Sequence, residues 1–221
     1  MGDINQLLFI KKNIDKIKGP ILEVGSKNYG NTQDLRSLFE NVDYIGIDME
    51  DGNGVDIVLD LTKDFNFIED KLEGKRFQTI VCFSVLEHCS DPFKMCSNIE
   101  RLLKKNSLVF ISVPFSWRIH GYPNDYWRFT PEGIKILFPN LKFDLKEGCL
   151  STGKPGVDRS IDDYMLRVEL DLKKARERRI YRNFNLYFLR VLKKLKIIDW
   201  ISDNSYLFPP VTINMIGRKR A

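Results

Sequence analysis

The chain has 221 residues, of which 43% are hydrophobic and 29% charged. This balance suits one globular domain and excludes disordered and fibrous proteins. The N-terminus lacks the basic-then-apolar layout of a secretory signal, and no apolar run approaches the roughly 20 residues of a membrane-spanning helix. The four cysteines form no Cys-x-x-Cys pair and no metal-like spacing with the two histidines. We therefore expect reduced thiols, a cytoplasmic location and no metal site.

The net charge of +5 is concentrated in one segment. Residues 167–196 contain eleven Lys or Arg and three acidic residues, a net charge of +8, so the rest of the chain sums to −3. The basic character is therefore local.

The first half of the chain alternates helices and strands. An amphipathic helix is expected from Ile4 to Ile17, ended by Gly19-Pro20, and a second from Asn31 to Glu40, capped by Asn31 or Thr32. Asp91-Pro92 and Thr130-Pro131 each place a capping side chain before a proline and predict two further helix starts. The apolar runs between them predict five strands, at Ile21–Val24, Tyr44–Ile47, Val55–Leu59, Thr79–Phe83 and Leu108–Val113.

Two late strands are expected at Phe143–Leu150 and Val211–Gly217, separated by a mostly helical segment from about Ser160 to Ile201. Such alternation predicts a Rossmann-like, doubly wound α/β fold. We expect a mostly parallel seven-stranded sheet with helices on both faces and a late antiparallel strand. The chain would be one domain, 1–221, with a basic helical insertion at about 155–208.

Polar residues stand at or near the ends of the first four strands, at Glu23, Asp48, Asp60 and Ser84. Ligands of such sheets bind beyond the carboxyl ends of the strands. A carboxylate can accept hydrogen bonds from both hydroxyls of a ribose, so Asp48 suits an adenosine group, and Gly25 and Gly30 let the backbone approach it. Alternatively, Asp48 and Asp60 only cap turns.

The loop after the first strand argues against a dinucleotide. Its Gly-x-Gly-x-x-Gly fingerprint is absent, and Lys27 occupies the second glycine position. A ligand without phosphates, such as S-adenosylmethionine, requires less of this loop.

The chain resembles class I S-adenosylmethionine-dependent methyltransferases in four segments: Leu22–Ser26 with Gly30, Tyr44–Asp48, Asp56–Leu61 and Ser84–His88. With the strand order that they imply, these segments cover about residues 20–150 and again 211–217, and the resemblance implies that this sheet binds S-adenosylmethionine. The implied cofactor contacts are Glu23, Gly25, Ser26, Gly30, Asp48, Met49, Asp60, Leu61, Ser84 and His88, although His88 could instead pack beneath the turn that leads to Asp91.

The string from Asp125 to Gly133, Asp-Tyr-Trp-Arg-Phe-Thr-Pro-Glu-Gly, resembles a bacterial branch of this family whose loop also reads Val-Gly-Ser. Members of that branch are often linked to surface-polysaccharide or glycolipid pathways. The resemblance implies methyl transfer to a small molecule, a sugar or a lipid-linked saccharide in polysaccharide biosynthesis.

Three residues are the candidates for work on the acceptor. His120 lies in an aromatic loop after the fifth strand and has a pKa suited to a general base, while Asp125 and Tyr126 would orient a polar substrate. The alternatives are a His120 that is hydrogen-bonded within its loop and an Asp125 that braces the loop through Arg128. Trp117 and Trp127 either stack on a sugar or belong to the core.

The basic segment predicts an amphipathic helix, because apolar residues from Ile180 to Ile198 recur every three or four positions. It would pack on the domain or form a homodimer through 167–198, or it would bind anionic lipid at the inner face of the membrane. Nucleic acid is disfavoured, because Phe83-Ser84-Val85-Leu86 differs from the Asn-Pro-Pro-Tyr type of base-amino methyltransferases. Two other functions stay open: a catalytically silent binding module and, ranked lower, an RNA methyltransferase.

Overall fold

The computed structural model describes residues 3–30, 33–121, 124–152, 155–161, 191 and 211–220. Contacts divide the chain into two units, Met1–Asp163 with Pro210–Ala221, and Tyr164–Pro209. The second unit, apart from Val191, lies outside the described residues, and so does almost all of the predicted basic helix. The single domain with its insertion therefore stays a prediction. Among the described helices, none has the length and apolar character needed to cross a membrane.

Parallel strands form one half of the sheet. The strands are β1 (Ile21–Val24), β2 (Tyr44–Asp48), β3 (Ile57–Val58), β4 (Phe77–Phe83) and β5 (Leu103–Pro114), in the order β3-β2-β1-β4-β5. All four pairings are parallel. The order in which successive strands are added to the sheet therefore reverses between β1 and β4. Ligands bind at this reversal point in folds of this type.

Antiparallel strands form the other half. They are β6 (Leu141–Phe143), β7 (Cys149–Ser151), β8 (Asp158–Arg159) and β9 (Thr212–Lys219). β9 pairs with β5, β6 and β7, and β7 pairs with β8, all antiparallel. The predicted late antiparallel strand is confirmed.

Helices cover both faces of the sheet, as predicted. They are α1 (Ile4–Lys12), α2 (Phe65–Lys71), α3 (Pro92–Leu102) and α4 (Pro131–Leu137). Ile68, Ile99 and Ile134 bring α2, α3 and α4 into one buried cluster, while Leu7 and Ile10 of α1 belong to a second cluster on the opposite face. The fold class is therefore confirmed, although the part of the chain that the structure describes forms a sheet of nine strands rather than seven.

The predicted helix starts are confirmed, since Asp91 accepts a hydrogen bond from the Lys94 amide and Thr130 accepts one from the Gly133 amide. At α1, a capping box joins the side chains of Asp3 and Gln6 to each other's backbone amides. Each of these caps satisfies an amide that would otherwise have no partner in the first turn.

Several predicted elements were wrong in extent. The first helix, expected to continue to Ile17, ends at Lys12 and is followed by a 3-10 turn, Ile14–Lys16. The helix expected over 31–40 is only a 3-10 turn, Arg36–Phe39, because Asp34 and Ser37 hydrogen-bond each other locally. The strand expected over 143–150 is broken by a turn at Leu145–Glu147, where the Asp144 side chain accepts from the Lys146 amide. In the third strand only Ile57 and Val58 pair with β2.

Candidate active site

Two loops meet at the reversal point between β1 and β4. Gly25, directly after β1, has φ +78°, and a Cβ placed on it would lie 2.3 Å from Cγ2 of Val85 in the loop after β4. Because only glycine allows this approach, Gly25 brings the β1 loop against the segment Ser84–His88. The predicted cofactor loop and the predicted segment after β4 are therefore neighbours.

Asp48 lies at the end of β2 and faces the β1 loop. One carboxylate oxygen accepts a hydrogen bond from the Lys27 amide at 3.3 Å, and the other accepts from the Glu50 amide at 3.1 Å. The residue is partly exposed, and Met49 beside it is 56% exposed. Each oxygen keeps a lone pair for a further donor, and Met49 offers apolar surface for a ring.

Lys27, which replaces a glycine of the fingerprint, is held away from this carboxylate. Its ammonium forms an ion pair with Glu50 at 2.6 Å and lies 5.3 Å from the centre of the Tyr29 ring. The Lys27 stem also packs against Gly52. The lysine thus joins the β1 loop to the turn after β2 and leaves the Asp48 carboxylate bonded only to backbone amides among the described residues.

Two other predicted cofactor contacts are buried polar groups. Glu23 in β1 is 4% exposed, and its carboxylate accepts a hydrogen bond from the Tyr44 hydroxyl at 2.7 Å. Burial raises the pKa of Glu23. The other oxygen of Glu23 and the hydroxyl of Ser26 have no hydrogen-bond partner among the described residues. Both side chains are buried, and ordered water is a usual partner of such atoms.

The remaining predicted cofactor residues differ in their access to a ligand. Asp60 is partly exposed and accepts hydrogen bonds from the amide and hydroxyl of Thr62, while Leu61 is 2% exposed and packs in the core. Only backbone atoms of Leu61 are therefore suited to ligand contact. Gly30 is exposed with φ +87°. Ser84, with φ +52°, accepts a hydrogen bond from the Gln6 amide group.

A cavity of about 130 Å³ lies beyond the ends of β4 and β5, next to the segment Ser84–His88. It is lined by Asp3, Ser84, Glu87, Pro114, Trp117, His120, Val211 and Thr212. The hydroxyl oxygen of Thr212 is buried there without a hydrogen-bond partner in the described part of the chain. Of the three predicted catalytic residues, only His120 lines this cavity.

Glu87 is the most unusual group of the cavity and was not among the predicted site residues. Its side chain is 1% exposed, and Oε2 has no hydrogen-bond partner in the described ranges. Burial raises the pKa of Glu87 to about 8. A buried, unpartnered carboxyl group is costly, which is typical of functional sites rather than of structural ones.

The two histidines of the chain lie together beside Glu87. The rings of His88 and His120 are 4.9 Å apart and nearly perpendicular, at 85°. Nδ1 of His88 is 2.5 Å from the Asn124 carbonyl oxygen, and Nε2 is 4.0 Å from Glu87. Desolvation lowers the pKa of His88.

Asp125 braces the loop that carries His120. Its side chain is 3% exposed and binds both terminal nitrogens of Arg128, and it also accepts a hydrogen bond from the His120 amide at 2.9 Å. The Arg128 contact holds the pKa of Asp125 well below its usual range. Arg128 in turn donates to the carbonyls of Trp117 and Arg118. Of the two roles predicted for Asp125, these contacts are those of the Asp–Arg pair that braces the loop, and they also hold the His120 backbone.

The aromatic side chains near the cavity are exposed rather than core. Trp117 is 47% exposed, Tyr126 49% and Trp127 41%, and the backbone of Tyr126 donates to the Glu87 carbonyl at 2.8 Å. Trp127 is anchored by a hydrogen bond from its ring nitrogen to the Cys89 carbonyl.

The cysteines are all free and buried, as expected of reduced thiols.

Residues 4–143 match the family model of a methyltransferase domain. The fold is similar to an S-adenosylmethionine-dependent methyltransferase of Archaeoglobus fulgidus, at 17% identity and a TM-score of 0.52, covering 96% of this chain and 92% of that one. It is also similar to a 1,6-didemethyltoxoflavin-N1-methyltransferase of Burkholderia thailandensis, which holds S-adenosylhomocysteine, at 11% identity, a TM-score of 0.51 and 98% and 77% coverage.

An S-adenosylmethionine-dependent methyltransferase of Thermotoga maritima is similar at 12% identity and a TM-score of 0.50, with 98% and 89% coverage. Among curated proteins, none matches the chain. At these identities the solved structures show the fold alone, and the family match carries the assignment, because it covers more than half of the chain. The protein belongs to the methyltransferase domain family.

Proposed function

We propose that the protein binds S-adenosylmethionine at the edge formed by the loops after β1, β2 and β4 and transfers its methyl group to a small or lipid-linked saccharide acceptor. The family match supports methyl transfer, and the loop geometry supports the cofactor. The observation that carries the proposal is the position of Asp48, a partly exposed carboxylate bonded to the backbone of the β1 loop.

The residues at this edge fit an adenosyl ligand without phosphates. Asp48 can accept hydrogen bonds from the ribose hydroxyls, and exposed Met49 can cover one face of the adenine. The space around Gly30 is open, since a Cβ there would meet nothing within 4 Å. When bound, S-adenosylmethionine supplies a methyl group that its positively charged sulfur already activates.

The cavity next to the β4 loop suits the reacting end of an acceptor. At about 130 Å³ it is smaller than the roughly 300 Å³ of a typical whole-ligand pocket, so the rest of the acceptor would lie outside it. The exposed rings of Trp117, Tyr126 and Trp127 offer flat surfaces of the kind that stack on sugars. This arrangement favours a saccharide with a hydroxyl directed into the cavity.

Transfer to a hydroxyl forms an oxygen–carbon bond as the sulfur–carbon bond breaks, and the acceptor proton must leave. The chain's contribution is to align the two reactants and to exclude water. Glu87 and His120 line the cavity and are placed to bind that hydroxyl, and His120 is the group placed to receive its proton, because the raised pKa of Glu87 keeps its carboxyl protonated at neutral pH. Asp125 acts indirectly by fixing the His120 loop.

Calorimetry with S-adenosylmethionine and S-adenosylhomocysteine tests the cofactor proposal. We expect both to bind, and we expect Asp48→Ala to weaken binding at least about tenfold, or about 1.4 kcal/mol, because it removes the carboxylate that accepts from the ribose. Asp51→Ala is the matched control, since Asp51 is an exposed acid in the following turn. Equal losses for the two variants, or no binding to the folded wild type, would contradict the proposal and support a silent module.

The acceptor is tested by transfer of a labelled methyl group. Lipid-linked and free saccharide fractions should accept label, and transfer RNA should not. Trp117→Ala is expected to raise KM for the acceptor while leaving cofactor affinity unchanged, because the ring lines the acceptor cavity and not the Asp48 edge. Labelling of transfer RNA alone would reverse the choice of acceptor.

A further inference from the structure

Three side chains with metal-binding atoms lie together at the acceptor cavity, where Glu87 and His120 belong to the lining and His88 lies beside them. One donor atom of each of Glu87, His88 and His120 lies within 4.8 Å of the other two. His120 comes from the loop after β5, 32 positions after His88, and for this reason the spacing of the sequence predicts no metal site. Parallel strands β4 and β5 are neighbours, so the loops at their ends bring the three together.

The histidine rings are oriented as metal-bound histidines are. A metal-binding histidine usually directs its second nitrogen to a carbonyl or carboxylate oxygen, which fixes the ring and its tautomer. Nδ1 of His88 faces the Asn124 carbonyl at 2.5 Å. Nδ1 of His120 faces both the Arg118 carbonyl and the Asp125 carboxylate at 3.2 Å. Each ring therefore keeps Nε2 for another ligand.

The carboxylate of Glu87 supplies an independent observation. Its Oε2 atom is buried and has no hydrogen-bond partner among the described residues, while the side chain is 1% exposed. A buried carboxyl oxygen without a donor either belongs to a protonated acid or is paired with a cation, and a metal ion is such a cation. Among the described residues no Lys or Arg forms an ion pair with it, and the Arg128 guanidinium is bonded to Asp125.

The separations are compatible with a metal after small movements of the histidines. Ligands of a tetrahedral ion with bonds of about 2.1 Å lie about 3.4 Å apart. The side chains of His88 and His120 are 17% and 32% exposed, so neither ring is enclosed as completely as the Glu87 side chain. Glu87 itself is fixed in the 3-10 turn Leu86–His88.

We propose that Glu87, His88 and His120 bind a divalent transition metal ion of the zinc type at the wall of the acceptor cavity. Two imidazoles and one carboxylate favour such an ion over Mg²⁺, which prefers oxygen ligands alone. Three protein ligands would leave a position for a further ligand, and two of the three, Glu87 and His120, line the acceptor cavity.

An ion at this place has a defined use in methyl transfer to a hydroxyl. A bound acceptor oxygen loses its proton more easily, and the ion fixes the direction of its lone pair. An imidazole nitrogen that binds the ion cannot also accept the proton, so His120 then acts as a ligand and not as a base. The metal inference goes beyond the proposed function and can be tested without any methyl donor or acceptor.

Metal-stripped protein is titrated with Co²⁺, followed by its visible absorption, and with Zn²⁺ and Mg²⁺ by calorimetry. We expect one Co²⁺ or Zn²⁺ per chain and much weaker binding of Mg²⁺. Glu87→Gln, His88→Ala and His120→Ala should each weaken Zn²⁺ binding at least about tenfold, since loss of even a supporting contact costs that much. Glu132→Gln, an exposed glutamate of α4, should bind as the wild type does.

Two further readouts keep the result clear. Zn²⁺ should raise the Tm of the wild type and of Glu132→Gln but not of the double variant His88→Ala/His120→Ala, whose folding is checked by circular dichroism. Co²⁺ spectra without a thiolate band would exclude cysteine ligands. The inference is overturned if the wild-type protein binds neither Co²⁺ nor Zn²⁺. It is also overturned if the variants of Glu87, His88 and His120 bind Zn²⁺ with wild-type affinity. Loss of S-adenosylmethionine binding with metal binding intact contradicts only the proposed function.

Discussion

Gly25 and Gly30 share a left-handed backbone but differ in their surroundings. A Cβ on Gly25 would lie 2.3 Å from Val85, whereas a Cβ on Gly30 would meet nothing within 4 Å. Alanine at either position costs about 1–2 kcal/mol for its backbone conformation. We expect Gly25→Ala to lower the free energy of unfolding by about 1–3 kcal/mol more than Gly30→Ala, because it also forces the β1 and β4 loops apart.

Urea unfolding of the two variants measures this difference directly, and Gly30→Ala serves as the control for backbone strain. Adding Val85→Ala to Gly25→Ala removes the clashing methyl groups and should recover part of the loss. If the two single variants were equally stable, the contact between the loops would not be a requirement of the fold. If the two loops form one site, Gly25→Ala should also weaken S-adenosylmethionine binding more than Gly30→Ala does.

At the scale of elements, Glu147 connects three parts of the chain. It accepts hydrogen bonds from Arg218 of β9 and from Lys16 of the 3-10 turn after α1, and the Arg218 contact lowers its pKa below the ordinary value of 4.5. A carboxyl group whose pKa is lowered on folding stabilises the protein above its unfolded pKa. That stabilisation is lost as the pH falls through the folded pKa.

Glu147→Gln should therefore lower the free energy of unfolding at pH 7, by about 1 kcal/mol or less, because both cations are more than a third exposed. The difference from the wild type should shrink as the pH falls below 4.5 and vanish in stronger acid. Urea unfolding across this pH range checks it. Arg218→Gln should show the same reduced pH dependence, and a difference that is constant with pH would contradict the assignment.

How much of each element was predictable depended on local signals. Apolar runs such as Ile21–Val24 and Thr79–Phe83 identified strands correctly, since a strand buried on both faces needs little else. The turn that breaks residues 143–150 depends on Asp144 and on Gly148, where a Cβ would lie 2.6 Å from the Asn214 carbonyl oxygen. That second reason is a contact across 66 positions, which no local pattern contains.

At the scale of the whole molecule, the proposed cofactor edge was more predictable than the proposed acceptor cavity. Asp48 and Gly25 belong to strand ends that the pattern of alternating elements brings together. The cavity instead combines Asp3, Glu87, His120 and Thr212, which come from opposite ends of the chain. Glu87 went unpredicted because its chemistry comes from burial and a missing partner, and these appear only after folding.

The uneven charge of the molecule leads to a prediction about membranes. Residues 167–196 carry a net charge of +8, while the rest of the chain sums to −3, so the chain's attraction to anionic surfaces should reside in this segment. We expect the protein to sediment with anionic vesicles at low salt, to be released as salt is raised, and to ignore neutral vesicles. Such binding would bring a lipid-linked acceptor to the enzyme.

Charge reversal at Lys193, Lys194 and Lys196 should weaken vesicle binding at least about 100-fold, since each basic residue near an anionic surface contributes about 1 kcal/mol. The control reverses three exposed lysines outside the segment, at Lys75, Lys104 and Lys142, and changes the net charge equally. Because the two variants have the same total charge, we expect them to differ in vesicle binding only if the basic segment itself contacts the membrane. An equal loss of vesicle binding in both variants would mean that net charge alone explains the binding. If the wild type does not sediment with the vesicles at low salt, the membrane prediction is wrong and packing or a dimer is the remaining role of the segment.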